Sequence, residues 1–256
     1  MIRWETRDAG GLATIDRPER RNALDAALCD ELRARLESNP SLRTVVITGA
    51  GSAFCAGADL GTRFEPEHAD APPTSDTFRP AFDRLTDAVV DFPGAVIAAV
   101  NGPALGAGAQ LAVACDLRVV GPTATFGIPA AKLGIVLSPA NVQRLALLVG
   151  QGAARDLLMT GRTLDRAEAT AIGLVHRSAD DPIADALAWA DEIAALAPLT
   201  VAGHKRALSL VAEAADLDDD ARAEIRSLEE AAFASADLQE GLTAFGEKRA
   251  PRFEGR

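Results

Sequence analysis

Two segments of this sequence carry residues that could do chemistry through their backbone. They are VVITGAGSAFCAGADL at residues 45–60 and VIAAVNGPALGAGAQL at residues 96–111. In each, a strand-like apolar run leads into a turn of small residues and then into a predicted helix. A helix start presents unpaired N–H groups and the positive end of its dipole, so two facing starts could hold a developing oxyanion. The pair therefore predicts strand-turn-helix units whose turns line one ligand-binding edge.

The same glycines do not complete a nucleotide-binding motif. If Gly49 or Gly106 opened a GxGxxG fingerprint, its third glycine would fall at Phe54 or Leu111. The sequence also lacks the phosphate loops GxxxxGKS and GxxxxGKT. A simpler alternative is that Gly and Ala only allow close backbone packing, but two similar turns in one chain favour a ligand site.

Composition and charge limit the classes of partner. The chain has 256 residues, of which 48% are hydrophobic, with a formal net charge of −11 and a pI near 4.8. This composition predicts a globular protein with a substantial core. It argues against nucleic acids and acidic membrane surfaces, which are drawn by positive fields. Because the protein as a whole is negatively charged, an anionic ligand could bind only where hydrogen-bond donors or cationic groups are arranged locally.

Compartment and metal binding can be judged from the same residues. No uncharged apolar run reaches the roughly 18 residues of a membrane span, and the first ten residues lack the apolar core of a signal peptide. We therefore expect a cytoplasmic protein without a membrane span. Cys29, Cys55 and Cys115 form no CxxC pair, and only three histidines accompany them. We expect buried, reduced thiols, no metal and no resident cofactor.

Strand and helix signals alternate along the chain, which predicts an α/β fold. Stretch 61–80 contains four prolines and no period, so it predicts a mobile loop. A change in composition near Pro198 divides a core, residues 1–197, from a helical region, residues 198–256. Strands are predicted at 12–15, 44–48, 96–100 and 117–120, and helices at 25–36, 78–90, 141–149, 153–159, 183–196 and over most of the last 50 residues. The helix at 25–36 places Leu28, Leu32 and Leu36 on one apolar face.

Four blocks of the chain resemble one family. They are RPERRNAL at 17–24, TGAGSAFCAGADL at 48–60, AAVNGPALGAGAQLAVACDLRVV at 98–120 and AFGEKRAPRF at 244–253. In order and spacing they resemble the enoyl-CoA hydratase/isomerase family, also called the crotonase superfamily. The resemblance implies a crotonase-like spiral of ββα units. It also implies a C-terminal helical trimerisation region, a homotrimer or dimer of trimers, and an acyl-CoA ligand.

The resemblance also implies which residues form the site. The backbone amides of Ala56 and Ala107 correspond to the two that polarise the thioester carbonyl in the family. Phe245 and Lys248 match residues that reach the CoA of their own or a neighbouring subunit. The full set of implied substrate-binding residues is Arg21, Ala23, Leu24, Gly57, Ala58, Asp59, Leu60, Leu133, Leu137, Ser138, Asn141, Phe245 and Lys248.

The sequence departs from the family pattern at the two positions where hydratases carry catalytic glutamates. Hydratases carry one glutamate three residues after the second oxyanion amide and another directly after a later proline, and here Gln110 and Ala130 stand at those positions. Neither side chain titrates, and losing such a group typically costs roughly 10² to 10⁴ in rate. The chain resembles actinobacterial members that lack both acids and bind long-chain acyl-CoA without hydrating it. Leu133, 135–136 and Leu137 would suit a hydrocarbon chain.

Few residues could replace the missing acids. We expect Asp59 to cap the next helix and Asp116 to be structural, whereas His68 in the predicted loop could titrate near neutrality. Gln110 could bind a ligand or water but could not abstract a proton. Lys132, Ser138 and Asn141 could orient water or a polar acyl group, or could be ordinary turn and cap residues.

Three interpretations remain, and the sequence leaves enzymatic activity open. The first is an acyl-CoA-binding member of the family with weak or no hydratase activity, in fatty-acid metabolism. The second is an enoyl-CoA isomerase or another thioester enzyme, which uses the oxyanion hole with a non-standard acid or a positioned water. The third is a structural module that does not bind CoA, which the paired turns disfavour.

Overall fold

The computed structural model describes residues 1–59, 75–214 and 233–249, together with residues 223, 230 and 251. Within this part of the chain, a six-stranded sheet carries helices on both faces, and a three-stranded sheet lies beside it. The predicted α/β class is confirmed.

The strands and helices predicted up to residue 196 are found within a few residues of their expected bounds, except that two predicted helices form one. The helix predicted over most of the last 50 residues lies partly outside the described residues. Two 3₁₀ helices, Pro18–Arg20 and Pro129–Leu133, lie in the connections. The strands are β1 (Ile2–Arg7), β2 (Gly10–Ile15), β3 (Thr44–Gly49), β4 (Ala95–Val100), β5 (Ala104–Leu105), β6 (Leu117–Val120), β7 (Phe126–Gly127), β8 (Thr163–Leu164) and β9 (Arg177–Ser178). The helices are α1 (Ala26–Glu37), α2 (Ser75–Asp91), α3 (Ala107–Ala114), α4 (Pro139–Thr160), α5 (Arg166–Ala171), α6 (Pro182–Ala194), α7 (Pro198–Ala214) and α8 (Ala236–Gly246).

The large sheet places the two glycine-rich turns at one edge. Its strand order is β1-β2-β3-β4-β6-β9, and every neighbouring pair except β1 and β2 is parallel. Strands β3 and β4 are adjacent, with Thr44 opposite Ala95 and Thr48 opposite Ala99. Parallel neighbours end on the same side, so the turns after β3 and β4 leave the sheet together. The predicted common edge is confirmed.

Both faces of the sheet are buried, as is usual for parallel strands. Successive side chains of β3 point to opposite faces, so Val45 and Ile47 pack in a cluster with α1 and α2 while Val46 packs against α6. Helix α1 buries Leu28, Leu32 and Leu36, which are the three residues predicted for its apolar face. This core holds the sheet and thereby fixes the positions of the turns that follow β3 and β4.

Leu32→Ala is expected to lower the free energy of unfolding by about 2–5 kcal/mol, because Leu32 is fully buried and the truncation leaves a cavity. Urea denaturation measures the change. The control is Leu147→Ala, whose side chain is 56% exposed and whose change should stay within about 0.5 kcal/mol. Equal effects of the two variants would contradict this account of the core.

Two features of the helices differ from the sequence-based expectation. The loop predicted to run to Pro80 gives way to α2 at Ser75, so Pro80 lies inside a helix. Pro80 is exposed and removes one backbone bond near the helix start, while buried Phe82, Leu85 and Val89 hold the helix to the core. The two helices predicted around Gly150 form one element, α4, with a break at Gly150, where φ is 75°.

The C-terminal helices pack on the same frame. Helix α8 lies on the 3₁₀ helix Pro129–Leu133, where a Cβ at Gly241 would come within 2.8 Å of the Leu133 backbone. Lys205 of α7 donates to the carbonyls of Val89 and Gly94 and to Asp116 Oδ2, at 3.2, 3.1 and 2.8 Å. Among the described helices, none is by itself long and apolar enough to cross a membrane, although α6 and α7, bent by 107°, pass that test as a pair.

Candidate functional site

Two asparagines fasten the first glycine-rich turn. Asn22 is fully buried, and its Nδ2 donates to the carbonyls of Ala50 and Ala53 at 2.8 and 2.7 Å. Asn101 Nδ2 donates to the carbonyls of Gly49 and Gly51 at 2.9 and 2.8 Å. The RPERRN loop and the NGP turn are therefore bound to the same backbone, which explains why three distant sequence blocks meet here.

Small residues let the two turns approach closely. Two isolated parallel bridges join Cys55 to Ala104 and Ala58 to Leu24. The segment after β3 therefore runs between the residue 24 backbone on one side and the residue 104 backbone on the other. A Cβ at Gly108 would lie 2.2 Å from the Cys55 carbonyl oxygen, so only glycine fits there. Gly57, at φ 108°, would place a Cβ 3.6 Å from the Ala107 nitrogen. Residue 57 and the start of α3 are thus neighbours.

Two backbone amides at this junction are not used by the part of the chain that the structure describes. The N–H groups of Ala58 and Ala107 have no hydrogen-bond partner within the described residues. The Gly57 carbonyl and the Asp59 amide both bond to Leu24, at 2.8 and 2.7 Å, so the Ala58 N–H between them points to the opposite side. On that side lies Ala107, the first residue of α3. Both amides are therefore available to a ligand as hydrogen-bond donors.

The prediction that Ala56 supplies the first amide is wrong. The Ala56 N–H donates to the Arg21 carbonyl at 2.9 Å and is therefore already occupied. Arg21 and Asn22 have left-handed φ values of 49° and 59°, and this bend brings the Arg21 carbonyl to Ala56. The free donor is two residues further along, at Ala58.

The second amide is held in place by the packing of α3. Arg118 is buried, and its guanidinium donates to the carbonyls of Ala112 and Cys115, at 3.0 and 2.7 Å, near the end of this helix. It also donates to the Leu174 carbonyl at 2.7 Å. Burial lowers the pKa of Arg118 to about 10, which leaves it charged at neutral pH. Helix α3 is therefore fixed at both ends, because Gly108 packs on Cys55 at its start.

A cavity of about 660 Å³ opens next to the two amides. Of the predicted site residues, those that line it are Arg21, Ala23, Ala56, Gly57, Ala58, Asp59, Ala107, Gln110, Ala130, Leu133, Leu137, Ser138, Asn141 and Phe245. Apolar side chains that sequence reasoning did not assign to the site, Phe78, Phe82 and Ile128, also contribute. The cavity thus joins the paired amides to a chamber with mostly apolar walls.

Two predicted contacts, Leu24 and Lys248, do not line the cavity, and a third, Leu60, cannot be compared with it. Leu24 is fully buried in the core, and only its backbone serves the site, by holding the strand at Gly57 and Asp59. Lys248 is exposed and does not line the cavity. Leu60 lies outside the described residues, as does His68.

The two positions of the expected glutamates face the cavity without an acid. Gln110 lies on α3, is half-buried, and its side-chain amide makes no hydrogen bond to the rest of the described chain. Ala130 lies in the 3₁₀ helix that follows β7, is buried, and lines the same chamber. Neither side chain can exchange a proton with a ligand.

Charged groups gather at the end of the cavity near Asp59. The Asp59 carboxylate is buried and pairs with Arg17 at 2.8 Å and with Arg20 at 3.7 Å, while Arg20 and Arg21 line the cavity. The expectation that Asp59 caps a following helix involves residues outside the described range.

Asp116 accepts from the Val96 N–H at 2.7 Å and pairs with Lys205, as a structural residue would.

Sequence reasoning missed one acid in the chamber, Asp83 of α2. Asp83 lines the cavity beside Ser138 and Asn141, which both donate to its Oδ1, at 2.9 and 3.2 Å. Burial raises the pKa of Asp83, and the Ser138 hydrogen bond opposes the rise. The sequence signal that could have found it is the helical period of 78–90. This period puts Phe82 on the buried face, and Asp83, the next residue, at the margin of that face. Lys132, expected near this region, does not line the cavity.

The cysteines are free and buried, as expected. Burial raises the pKa of Cys55 and of Cys115 to about 12 and that of Cys29 further, so none carries a reactive thiolate at neutral pH. Among the described residues, no three His, Cys, Asp or Glu side chains converge as metal ligands would.

Comparisons with known proteins point to one family. A family model described as enoyl-CoA hydratase/isomerase matches residues 7–256. The probable enoyl-CoA hydratase echA6 of Mycobacterium leprae is 41% identical over 260 residues, covering 96% of this chain and 97% of the relative. An enoyl-CoA hydratase/isomerase structure from Pseudoalteromonas atlantica T6c has a TM-score of 0.84 at 32% identity over 99% of each chain. Methylmalonyl-CoA decarboxylase in complex with 2-nitronate-propionyl-CoA has a TM-score of 0.87 at 25% identity, over 100% of this chain and 98% of that one.

Proposed function

Since this chain belongs to the enoyl-CoA hydratase/isomerase family, we propose that it binds acyl-CoA thioesters and has weak or no hydratase activity. The observation that carries the proposal is the cavity itself. It places Ala58 and Ala107, whose amides have no partner among the described residues, beside an apolar chamber. Gln110 and Ala130, which the family resemblance assigns to the positions of the hydratase acids, line that chamber.

The two amides act as an oxyanion hole in this proposal. A thioester oxygen that accepts from both Ala58 and Ala107 is polarised, and the α3 dipole adds to the effect. Both donors are backbone atoms fixed by surrounding hydrogen bonds and packing, so they need no reorganisation when negative charge develops on the oxygen. This favours enolate formation from a bound acyl-CoA, whatever group moves the proton.

Different walls of the cavity suit different parts of an acyl-CoA ligand. Arg20 and Arg21 are the cavity's cationic groups near Asp59 and are suited to CoA phosphates, despite the net charge of −11. The acyl chain lies in the chamber formed by α2, α4 and the 3₁₀ helix Pro129–Leu133. Phe245, which is 58% exposed at the cavity, is placed to pack on the ligand.

Assembly as a trimer or a dimer of trimers is part of the same proposal. Leu196, Leu199 and Leu208 are 57%, 88% and 70% exposed on or beside α7. Apolar side chains exposed to this degree are typical of surfaces that another subunit covers.

A second candidate function is favoured by one observation. Asp83 places a titratable group in the acyl chamber, which an enoyl-CoA isomerase requires and a passive binding protein does not. Both candidates need the same ligand and the same pair of amides.

Titration calorimetry with saturated and 2-enoyl acyl-CoAs of several lengths tests the proposal, with free CoA as the ligand control. We expect affinity to rise at most about fourfold per added methylene until the chamber is filled, at about 0.8 kcal/mol each. The same samples should form 3-hydroxyacyl-CoA far more slowly than the roughly 10 s⁻¹ of a typical enzyme. Hydration at such a rate would refute the weak-hydratase claim, and failure of every acyl-CoA to bind would refute the whole proposal.

A further inference from the structure

Asp83 is anchored by one carboxylate oxygen and open at the other. Oδ1 accepts from Ser138 Oγ at 2.9 Å and from Asn141 Nδ2 at 3.2 Å, and Asn141 Nδ2 also donates to Ser138 Oγ at 2.9 Å. Oδ2 has no hydrogen-bond partner among the residues described, yet it is not one of the buried unsatisfied atoms. It therefore remains accessible from the cavity that Asp83 lines.

The neighbours of Asp83 are themselves fixed. Arg144 Nη1 donates to Asn141 Oδ1 at 3.3 Å and to Thr86 Oγ1 at 3.0 Å, and its Nη2 donates to Asp87 Oδ1 at 2.6 Å. Because Arg144 occupies the Asn141 oxygen, the amide nitrogen of Asn141 faces Asp83 and Ser138. Helices α2 and α4 thus hold this carboxylate in one orientation, as a group that reacts with a bound ligand requires.

The other carboxylates that line the cavity are committed elsewhere. Asp59 is paired with Arg17 and Arg20, and Glu19 is exposed, 3.9 Å from Arg17. Asp83 forms no salt bridge within the described chain. Burial and the charge of Asp87 raise the pKa of Asp83, whereas the Ser138 hydrogen bond and the charges of Arg79 and Arg144 lower it, with a net upward shift. A carboxyl group shifted in this direction is a better match for proton transfer near neutral pH.

We propose that Asp83 is the residue that moves a proton along the acyl chain of a bound enoyl-CoA, in place of an acid at position 110 or 130. This inference rests on the proposed function, since the thioester oxygen must be held by the Ala58 and Ala107 amides. The substrate is a 3-enoyl-CoA and the product its conjugated 2-enoyl isomer.

The step is balanced without any co-reactant. Asp83 Oδ2 removes a proton from C2 of the 3-enoyl thioester, and the C–H electron pair forms a C1–C2 double bond while the carbonyl pair moves onto the oxygen held by the two amides. When the oxyanion collapses, the C1–C2 pair becomes the C2–C3 double bond. The former C3–C4 double-bond pair then takes the proton from Asp83 at C4. The carboxylate is regenerated, and no atom or electron is gained or lost.

The test compares the full-length protein with Asp83→Asn and, as matched control, Asp91→Asn, which makes the same change at an exposed position on α2. Isomerisation of 3-enoyl-CoA is followed by absorbance of the conjugated product, and deuterium uptake from D₂O by mass spectrometry. Asp83→Asn is expected to reduce both rates by roughly 10² or more, and Asp91→Asn to leave them within about twofold. The Kd of a saturated acyl-CoA should change little in either variant.

A second variant separates catalysis from structure. The reaction requires ionised Asp83, so its rate falls as pH drops through the pKa of that carboxyl. Ser138→Ala removes a donor that stabilises the ionised form, which raises the pKa, and the acidic limb of the rate profile should move to higher pH. A merely structural contact would lower the rate without moving this limb.

The outcomes distinguish this inference from the proposed function. If no acyl-CoA binds the unmodified protein, the proposed function fails. If acyl-CoA binds but the protein neither isomerises 3-enoyl-CoA nor exchanges its protons, or if Asp83→Asn does both as fast as the unmodified protein, Asp83 is not the proton carrier and the binding function stands. Should Asp83→Asn fail to fold, an unmoved acidic limb in Ser138→Ala overturns the inference.

Discussion

Ala107→Pro is expected to lower the rate of proton exchange at C2 of a bound acyl-CoA by about 10² to 10³, the usual effect of removing one oxyanion donor. Ala107 is the first residue of α3, and its N–H has no partner within the described protein. Proline is well tolerated at this helix position because the N–H it lacks is not used by the helix. The substitution therefore removes the donor and leaves the helix.

Deuterium uptake measured by mass spectrometry gives the rate, and the infrared frequency of a ¹³C-labelled thioester carbonyl reports its polarisation directly. In the variant, this frequency should move toward that of the free thioester. Arg166→Pro is the matched control, since it places proline at the first residue of α5, which does not line the cavity. If the Ala107 variant folds and still polarises the carbonyl fully, the donor lies elsewhere.

The position of the first amide could not be fixed by the sequence, although its neighbourhood could. The similar segments at 45–60 and 96–111 were sufficient to predict that two turns meet at one sheet edge. Within CAGAD, however, Ala56 and Ala58 are the same residue type. Which N–H is free depends on the Arg21 carbonyl, which reaches Ala56 only because Arg21 and Asn22 adopt left-handed φ values. Non-glycine residues seldom adopt left-handed φ values, so the residue types at 21 and 22 did not predict this bend.

Asp83 was missed for a different physical reason. Its carboxylate accepts from Ser138, the residue just before α4, and from Asn141 in the first turn of α4, and both lie more than 50 positions away in the sequence. Local periodicity assigns Asp83 to the margin of an amphipathic helix, where a solvated acid is the ordinary expectation. By contrast, Leu28, Leu32 and Leu36 were predicted correctly, since their burial follows from spacing on a single helix. Sequence patterns predict faces of elements well, but not which polar groups different elements bring together.

Gln110→Glu combined with Ala130→Glu is expected to raise 2-enoyl-CoA hydration well above that of the unmodified protein, by roughly 10² to 10⁴ for each acid that functions. Gln110 makes no hydrogen bond to the described residues, so glutamate can take its place without breaking one. Position 130 also faces the chamber. The 3-hydroxyacyl-CoA formed is measured directly, and Gln151→Glu, the same change at an exposed site, is the control.

Adding Asp83→Asn to this double variant separates two ways in which the cavity can use an acid. If hydration depends only on positions 110 and 130, it should survive the loss of Asp83, while isomerisation of 3-enoyl-CoA should fall as in the single variant. If the double variant binds 2-enoyl-CoA tightly and still forms no product, the missing acids are not the only obstacle. Water is then not held where these positions could activate it, and the interpretation of Gln110 and Ala130 as simple replacements for two hydratase acids is wrong.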